Sequence, residues 1–165
     1  MRTVSLLNMP FTIVEASPDA PEAVALINEL DEHLNQLPYP ERSRHAYSID
    51  KLLREGVAFF VGRHDGQAAV CGGIKLFDTE YGEVKRMYVR PIYRGLGLGK
   101  AMLNHLAAYA RSRQVNLLRL ETGIYQTEAI GLYDSYGFQR RSPFGEYEED
   151  PLSVYFELVL PLNSD

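Results

Sequence analysis

Apolar and polar positions along this chain set out a succession of short strands and amphipathic helices between about residues 11 and 160. Phe11–Glu15 reads as a short strand. Ser17-Pro18-Asp19 then caps a helix whose apolar positions are Ala23, Leu26, Ile27, Leu30 and Leu34. Residues 37–45 form a loop, and a second helix runs over about 49–55. Two strands follow, 57–63 and 67–77, joined by a turn at His64-Asp65-Gly66. A strand over 81–89 completes this meander. The next helix carries Leu98, Met102, Leu106 and Tyr109 on one stripe. Residues 115–121 predict a strand, 126–135 a helix and 152–160 a final strand. An antiparallel start followed by a β-α-β centre predicts an α/β domain, a mixed central sheet with helices on both faces.

The junction between the 81–89 strand and the helix that follows it is the most informative stretch. Arg94, Gly95, Gly97, Gly99 and Lys100 open the helix just after a proline turn. Glycines let the backbone approach a ligand, and the free N–H groups and dipole of a helix N-terminus favour an anion. Such a loop suits a phosphate or pyrophosphate. The nucleoside-triphosphate pattern Gly-x-x-x-x-Gly-Lys-Ser/Thr fails, because Arg94 stands at its first glycine and Ala101 at its hydroxyl. The dinucleotide pattern Gly-x-Gly-x-x-Gly fails at Lys100.

What fits is Arg/Gln-x-x-Gly-x-Gly/Ala, read as Arg94-Gly95-Leu96-Gly97-Leu98-Gly99. This resembles the coenzyme A pyrophosphate loop of the GNAT N-acetyltransferase superfamily. Downstream, Gln126-x-x-Ala129-x-x-Leu132-Tyr133-x-x-x-Gly137-Phe138 resembles the superfamily's second signature, with Gln126 in place of the usual Asn. The resemblance covers about residues 11–160 of a single domain spanning 1–165. It implies the GNAT (acyl-CoA N-acyltransferase) fold of a small-molecule-type member.

The resemblance also implies an activity. An acetyl group would pass from acetyl-CoA, the cosubstrate, to a primary amine by direct attack in a ternary complex. Met87, Tyr88 and Val89 would lie along the pantetheine arm, a backbone N–H near Val89 polarising the thioester carbonyl. Arg94, Gly95, Leu96, Gly97, Leu98, Gly99 and Lys100 would hold the pyrophosphate, and Gln126 would hydrogen-bond the same cofactor. Tyr133 would be the general acid, since a phenol of pKa about 10 stays protonated and can donate to a thiolate. Glu83 would be the base; it lies six residues before Val89, on the strand face shared by residues two apart. The structural alternatives are a core tyrosine and a glutamate salt-bridged to Lys85 or Arg86. Thr122 could line the same cleft or simply fill its strand position.

The acceptor is expected to be a small amine, with carboxylated amines favoured if Arg42 or Arg44 in the 39–47 loop pairs with a carboxylate. Otherwise these are solvated charges. The acidic loop 143–150 either attracts a cationic amine or stays in water. A protein lysine or N-terminus as acceptor, and a non-catalytic acyl-CoA-binding module, are the alternatives.

Composition narrows the partners. At 165 residues the chain can bury about 70% of its unfolded surface without staples. A net charge of −5 disfavours nucleic acid, and the positive charge is local, in Lys85, Arg86, Arg90, Arg94 and Lys100. Cys71 is the single cysteine, most simply a buried apolar group, and suits a reducing cytoplasm. The run at 4–10 lacks a cleavage site, and no stretch reaches the roughly 20 apolar residues of a membrane span. His33, His45, His64 and His105 lack metal spacing, so no metal site is expected; His105 reads as helix surface. Homodimers are common among folds of this type, but no segment identifies an interface.

Overall fold

The computed structural model describes residues 8–45 and 47–161. The leader reading of residues 4–10 therefore falls mostly outside the described residues, as do Ala46 of the acceptor loop and the chain ends of the 1–165 domain.

The described residues form seven strands and four α-helices in the order β1 (Phe11–Glu15), α1 (Pro21–Asn35), α2 (Ile49–Arg54), β2 (Ala58–His64), β3 (Gln67–Phe77), β4 (Tyr81–Val89), α3 (Leu98–Ser112), β5 (Leu117–Gly123), α4 (Thr127–Tyr136), β6 (Gln139–Arg141) and β7 (Ser153–Val159). One sheet contains all the strands in the order β1-β2-β3-β4-β5-β7-β6. Neighbours are antiparallel except β4 and β5. The Asp65-Gly66 turn between β2 and β3 has φ of 51° and 77°, the doubly left-handed geometry of a tight hairpin.

Helices cover both faces, as the pattern predicts. On one face α3 buries Met102, Leu103, Leu106 and Ala110 against Val70, Ile74, Leu118 and Phe156. On the other, α1 buries Ala23, Leu26, Ile27 and Leu30 against Phe59, Val61 and Cys71, with Leu52 of α2. Each Val, Leu, Ile, Phe or Met side chain among these contributes about 1.5–3 kcal/mol through removal of apolar surface from water. Among the described residues no helix is long and apolar enough to cross a membrane.

Two details differ from the sequence reading. The α1 cap is Ala20, not the Ser17–Asp19 turn, whose side chains bond to one another at 2.5 Å. Pro21 at the first helical position fixes the start, because its missing N–H is no loss there. The short strand β6 was not predicted; Gln139-Arg140-Arg141 has no apolar alternation, and its pairing is with β7.

The feature that positions the site is the parting of β4 and β5. Their register is limited to Gly82↔Leu118 and Glu83↔Arg119. Beyond Glu83 the two strands diverge, leaving a cleft in the middle of the sheet. Near this point β4 carries a bulge: Cys71 opposes Tyr88 while Gly73 opposes Lys85, so β4 has one extra residue. Arg86 takes the left-handed φ of 57° there. The Cys71 thiol donates to Arg86 O at 3.3 Å, and the buried Arg86 guanidinium pairs with Asp31 of α1.

Candidate active site

On one side of the cleft lies a groove between the end of β4 and the first turns of α3 and α4. Met87, Tyr88 and Val89, the loop 94–100 except Leu96, and Gln126 all border it. Leu96 instead packs its side chain on the α3 core. Gly95 and Gly97 have φ of 84° and 79°, and a Cβ on either would meet nothing within 4 Å, so these left-handed positions face open space. Gly99 serves packing: a Cβ there would come 2.9 Å from Leu132 Cδ2 of α4. The first main-chain bond of α3 is Ala101 N–H to Gly97 O at 3.0 Å. The N–H groups of Leu98, Gly99 and Lys100 therefore precede the helical ladder, as an anion cradle requires. These residues fit a coenzyme A pyrophosphate.

The local positive patch is smaller than the sequence suggests. Arg90 forks onto Glu29, with Nη2 to Oε2 at 2.6 Å, and also donates to Ala68 O at 2.8 Å. Lys85 and Arg86 pair with Glu83 and Asp31. Two cations remain at the loop. Arg94 lies 2.8 Å from the exposed Glu128 of α4, and Lys100 has no ion-pair partner among the described residues.

On the other side of the cleft is a smaller cavity, bordered by Glu83, Lys85, Glu121, Thr122 and Tyr133 together with Tyr39, Arg44, His45 and Tyr47 of the preceding loop and Tyr147. Tyr39 stands at its edge. Its hydroxyl accepts the Tyr125 N–H at 2.8 Å, and its ring lies on Gly123 so closely that a Cβ there would fall 2.0 Å from Oη. Gly123→Ala is expected to push Tyr39 off the cleft, lowering stability by about 1–3 kcal/mol and kcat/KM with it. Denaturant unfolding alongside steady-state kinetics checks both.

Tyr133 stands where groove and cavity meet, bordering both. Leu98, Phe138 and Phe156 share its core cluster, and only 5% of the residue is exposed. Burial, with a smaller contribution from the Glu121 charge, pushes its phenol above the ordinary tyrosine range. The phenol therefore stays protonated throughout the neutral range.

Glu83 is buried and doubly held, accepting from Lys85 Nζ at 2.9 Å and from the Tyr147 hydroxyl at 2.6 Å. Lys85 in turn lies over the Tyr47 ring at 3.6 Å, and burial pulls its pKa down despite Glu83. The expectation that Glu83 shares a face with Val89 is corrected. The extra residue at the bulge reverses the alternation, so Val89 joins the α3 core while Glu83 faces the cavity.

Glu121 was not singled out from the sequence. The Glu83↔Arg119 register puts those two on one face, and Glu121 follows two residues later on the same face. It borders the cavity and has one side-chain partner, the Ser153 hydroxyl at 2.8 Å. Burial raises its pKa to about 7, the Ser153 bond opposing and the Glu83 charge adding.

Residues 24–138 match the model of the acetyltransferase (GNAT) family. The chain belongs to that family. A relative named IAA acetyltransferase from Azospirillum brasilense is 43% identical over 151 residues, covering 90% of this chain and 97% of that protein. A crystal structure from Klebsiella pneumoniae assigned as an acyl-CoA N-acyltransferase has a TM-score of 0.76 at 38% identity, covering 91% of this chain and 97% of that one. A GNAT family acetyltransferase from Elizabethkingia anophelis, with acetyl-CoA bound, shares the fold at 20% identity and TM-score 0.66, over 91% of this chain and 98% of its own.

This GNAT acetyltransferase presents no cysteine nucleophile at its cleft. Cys71 is fully buried in the α1 core, and burial pushes its thiol up to about 12. His45, held below the usual imidazole range by burial, borders the cavity and meets the Tyr147 ring edge-on with centroids 5.3 Å apart. His105 is not plain surface; it packs edge-on against Phe60 at 4.6 Å. Among the described residues no three of His, Cys, Asp and Glu converge as metal ligands. Arg42 borders only the outer hollow beneath residues 145–151, whereas Arg44 borders both that hollow and the inner cavity.

Proposed function

We propose that this acetyltransferase moves the acetyl group of acetyl-CoA to the primary amine of a small molecule by direct attack in a ternary complex. The observation that carries the reading is the position of Tyr133, a buried phenol bordering a phosphate-type groove on one side and a charged cavity on the other. Family membership supports acetyl-CoA as the cosubstrate. The relative named for IAA, and the bond of Tyr39 at the cavity's edge to the Tyr125 N–H, favour a small acceptor over a protein chain.

Each residue then has a defined task. The amides of Leu98, Gly99 and Lys100, with Arg94 beside them, hold the pyrophosphate. Beyond Glu83 the edge of β4 nearest β5 has no strand partner in the register. Met87 main-chain groups and the Val89 N–H would pair there with the pantetheine amides and polarise the thioester carbonyl, while Val89 O accepts from Arg94 Nε at 3.2 Å. Gln126, at the start of α4, closes the same groove.

The acceptor ammonium gives a proton to a Glu121 carboxylate oxygen. Its nitrogen bonds to the thioester carbon, the C–S bond breaks, and Tyr133 Oη supplies the proton that the departing sulfur takes up. The second N–H proton, acidic once the nitrogen is acylated, returns to the Tyr133 phenolate and leaves a neutral amide. Glu83, tied to Lys85 and Tyr147, serves to hold the cavity wall rather than to carry the proton. Initial rates measured over a grid of both substrates test the order of events. Intersecting double-reciprocal lines are expected; parallel lines, the signature of an acyl-enzyme, contradict direct attack.

A further inference from the structure

The fixed charges bordering the inner cavity do not all cancel. Among the described residues, Lys85 pairs with Glu83 and Arg86 with Asp31. Arg44 has no carboxylate partner among them. Its Nη1 and Nη2 donate to the Leu34 and Leu37 carbonyls, each at 3.1 Å, at and just past the last turn of α1. These bonds fix the plane of the guanidinium and leave its other N–H groups for a ligand. On the acid side, Glu121 alone of the three carboxylates has no cation; its side-chain partner is a neutral hydroxyl.

The order of these groups along the cavity is defined by what else each one borders. Arg44 also borders the outer hollow, so it stands at the mouth. Tyr133 also borders the cofactor groove, so it stands at the opposite end. Glu121 borders the inner cavity alone. We infer that the acceptor is a small amine bearing a carboxylate, its carboxylate held by Arg44 at the mouth and its amine directed inward to Glu121. A planar guanidinium matches a carboxylate in a way that a lone ammonium does not. A ligand of both charges satisfies the one unpaired cation and the one unpaired acid together, whereas a simple amine leaves Arg44 without an anion. The inference rests on the small-amine reading above and narrows it to one substrate class.

The test uses the purified full chain and thiol release from acetyl-CoA, with short amino acids each compared with its own amide and its decarboxylated amine. Wild type is expected to favour the free acid in kcat/KM by about 10- to 100-fold, the worth of a charge-assisted pair. Arg44→Gln collapses that ratio toward one, and Arg44→Lys restores part of it. Because each ratio is taken within one variant, a partly unfolded preparation does not mimic the result. Amides or simple amines used as well as the acids by wild type would overturn the substrate class while leaving the acetyltransferase reading intact. An unchanged acid-to-amide ratio in Arg44→Gln would overturn the role of Arg44. Release stimulated by no member of the panel would overturn the small-amine reading, and this inference with it.

Discussion

Tyr133→Phe lowers kcat by about 10²-fold while acetyl-CoA binds as in wild type. General acids contribute about 10²–10⁴-fold. The low end applies because the leaving group is a thiolate whose thiol has pKa about 8.5, far easier to expel than an alkoxide or an amide. Only the hydroxyl is removed, so the ring keeps its edge contact with Phe138 at 5.6 Å and its tilted contact with Phe156 at 5.8 Å. Stability should therefore change little. Burst kinetics and calorimetric titration with acetyl-CoA separate chemistry from binding. A variant that turns over normally would remove Tyr133 from the proton path; one that loses acetyl-CoA affinity in proportion to rate would make it a binding residue.

The second large effect concerns the base. An alkyl amine has pKa near 10.4 and is almost wholly protonated at neutral pH, so attack depends on a group that removes the proton. Glu121 must be ionised to do this, and its pKa is raised to about 7 by burial. The wild-type rate should therefore rise with pH through about 7, as the carboxyl becomes carboxylate. Glu121→Gln should lose about 10²–10⁴-fold at neutral pH. Its rate should instead climb toward the pKa of the amine itself, narrowing the gap at alkaline pH. Glu83→Gln should keep the limb near 7 and lose stability instead, since it strands the buried Lys85. The reverse pattern, with the limb lost in Glu83→Gln and kept in Glu121→Gln, returns the base to Glu83.

Much of the cofactor side was legible in the sequence, because its chemistry is carried by main chain at consecutive positions. Gly95 and Gly97 announce left-handed backbone, and the run from Arg94 to Lys100 stays together however the rest folds. Apart from β6, helix and strand existence followed from periodicity for the same local reason. The acceptor side is assembled from distant segments, and there the sequence was a poorer guide. Glu121 becomes a candidate through the β4–β5 register, which pairing across the sheet decides. The bulge at Arg86, with no glycine or proline beside it in β4 to mark it, reversed the face assigned to Val89 relative to Glu83. The partners that neutralise Lys85, Arg86 and Arg90 lie 2, 55 and 61 residues away, and two of those three separations give no local signal. Tyr39 and Tyr147 reach the cleft from loops whose composition reads as ordinary surface.

The most direct measurement is thiol release from acetyl-CoA by the purified protein, run with and without a panel of small amines. Release that depends on the amine, with the N-acetylated product identified by mass, is the expected result. Acetyl-CoA that neither binds nor is cleaved under any member of the panel would contradict the assignment of the Arg94–Lys100 loop and the account built on it.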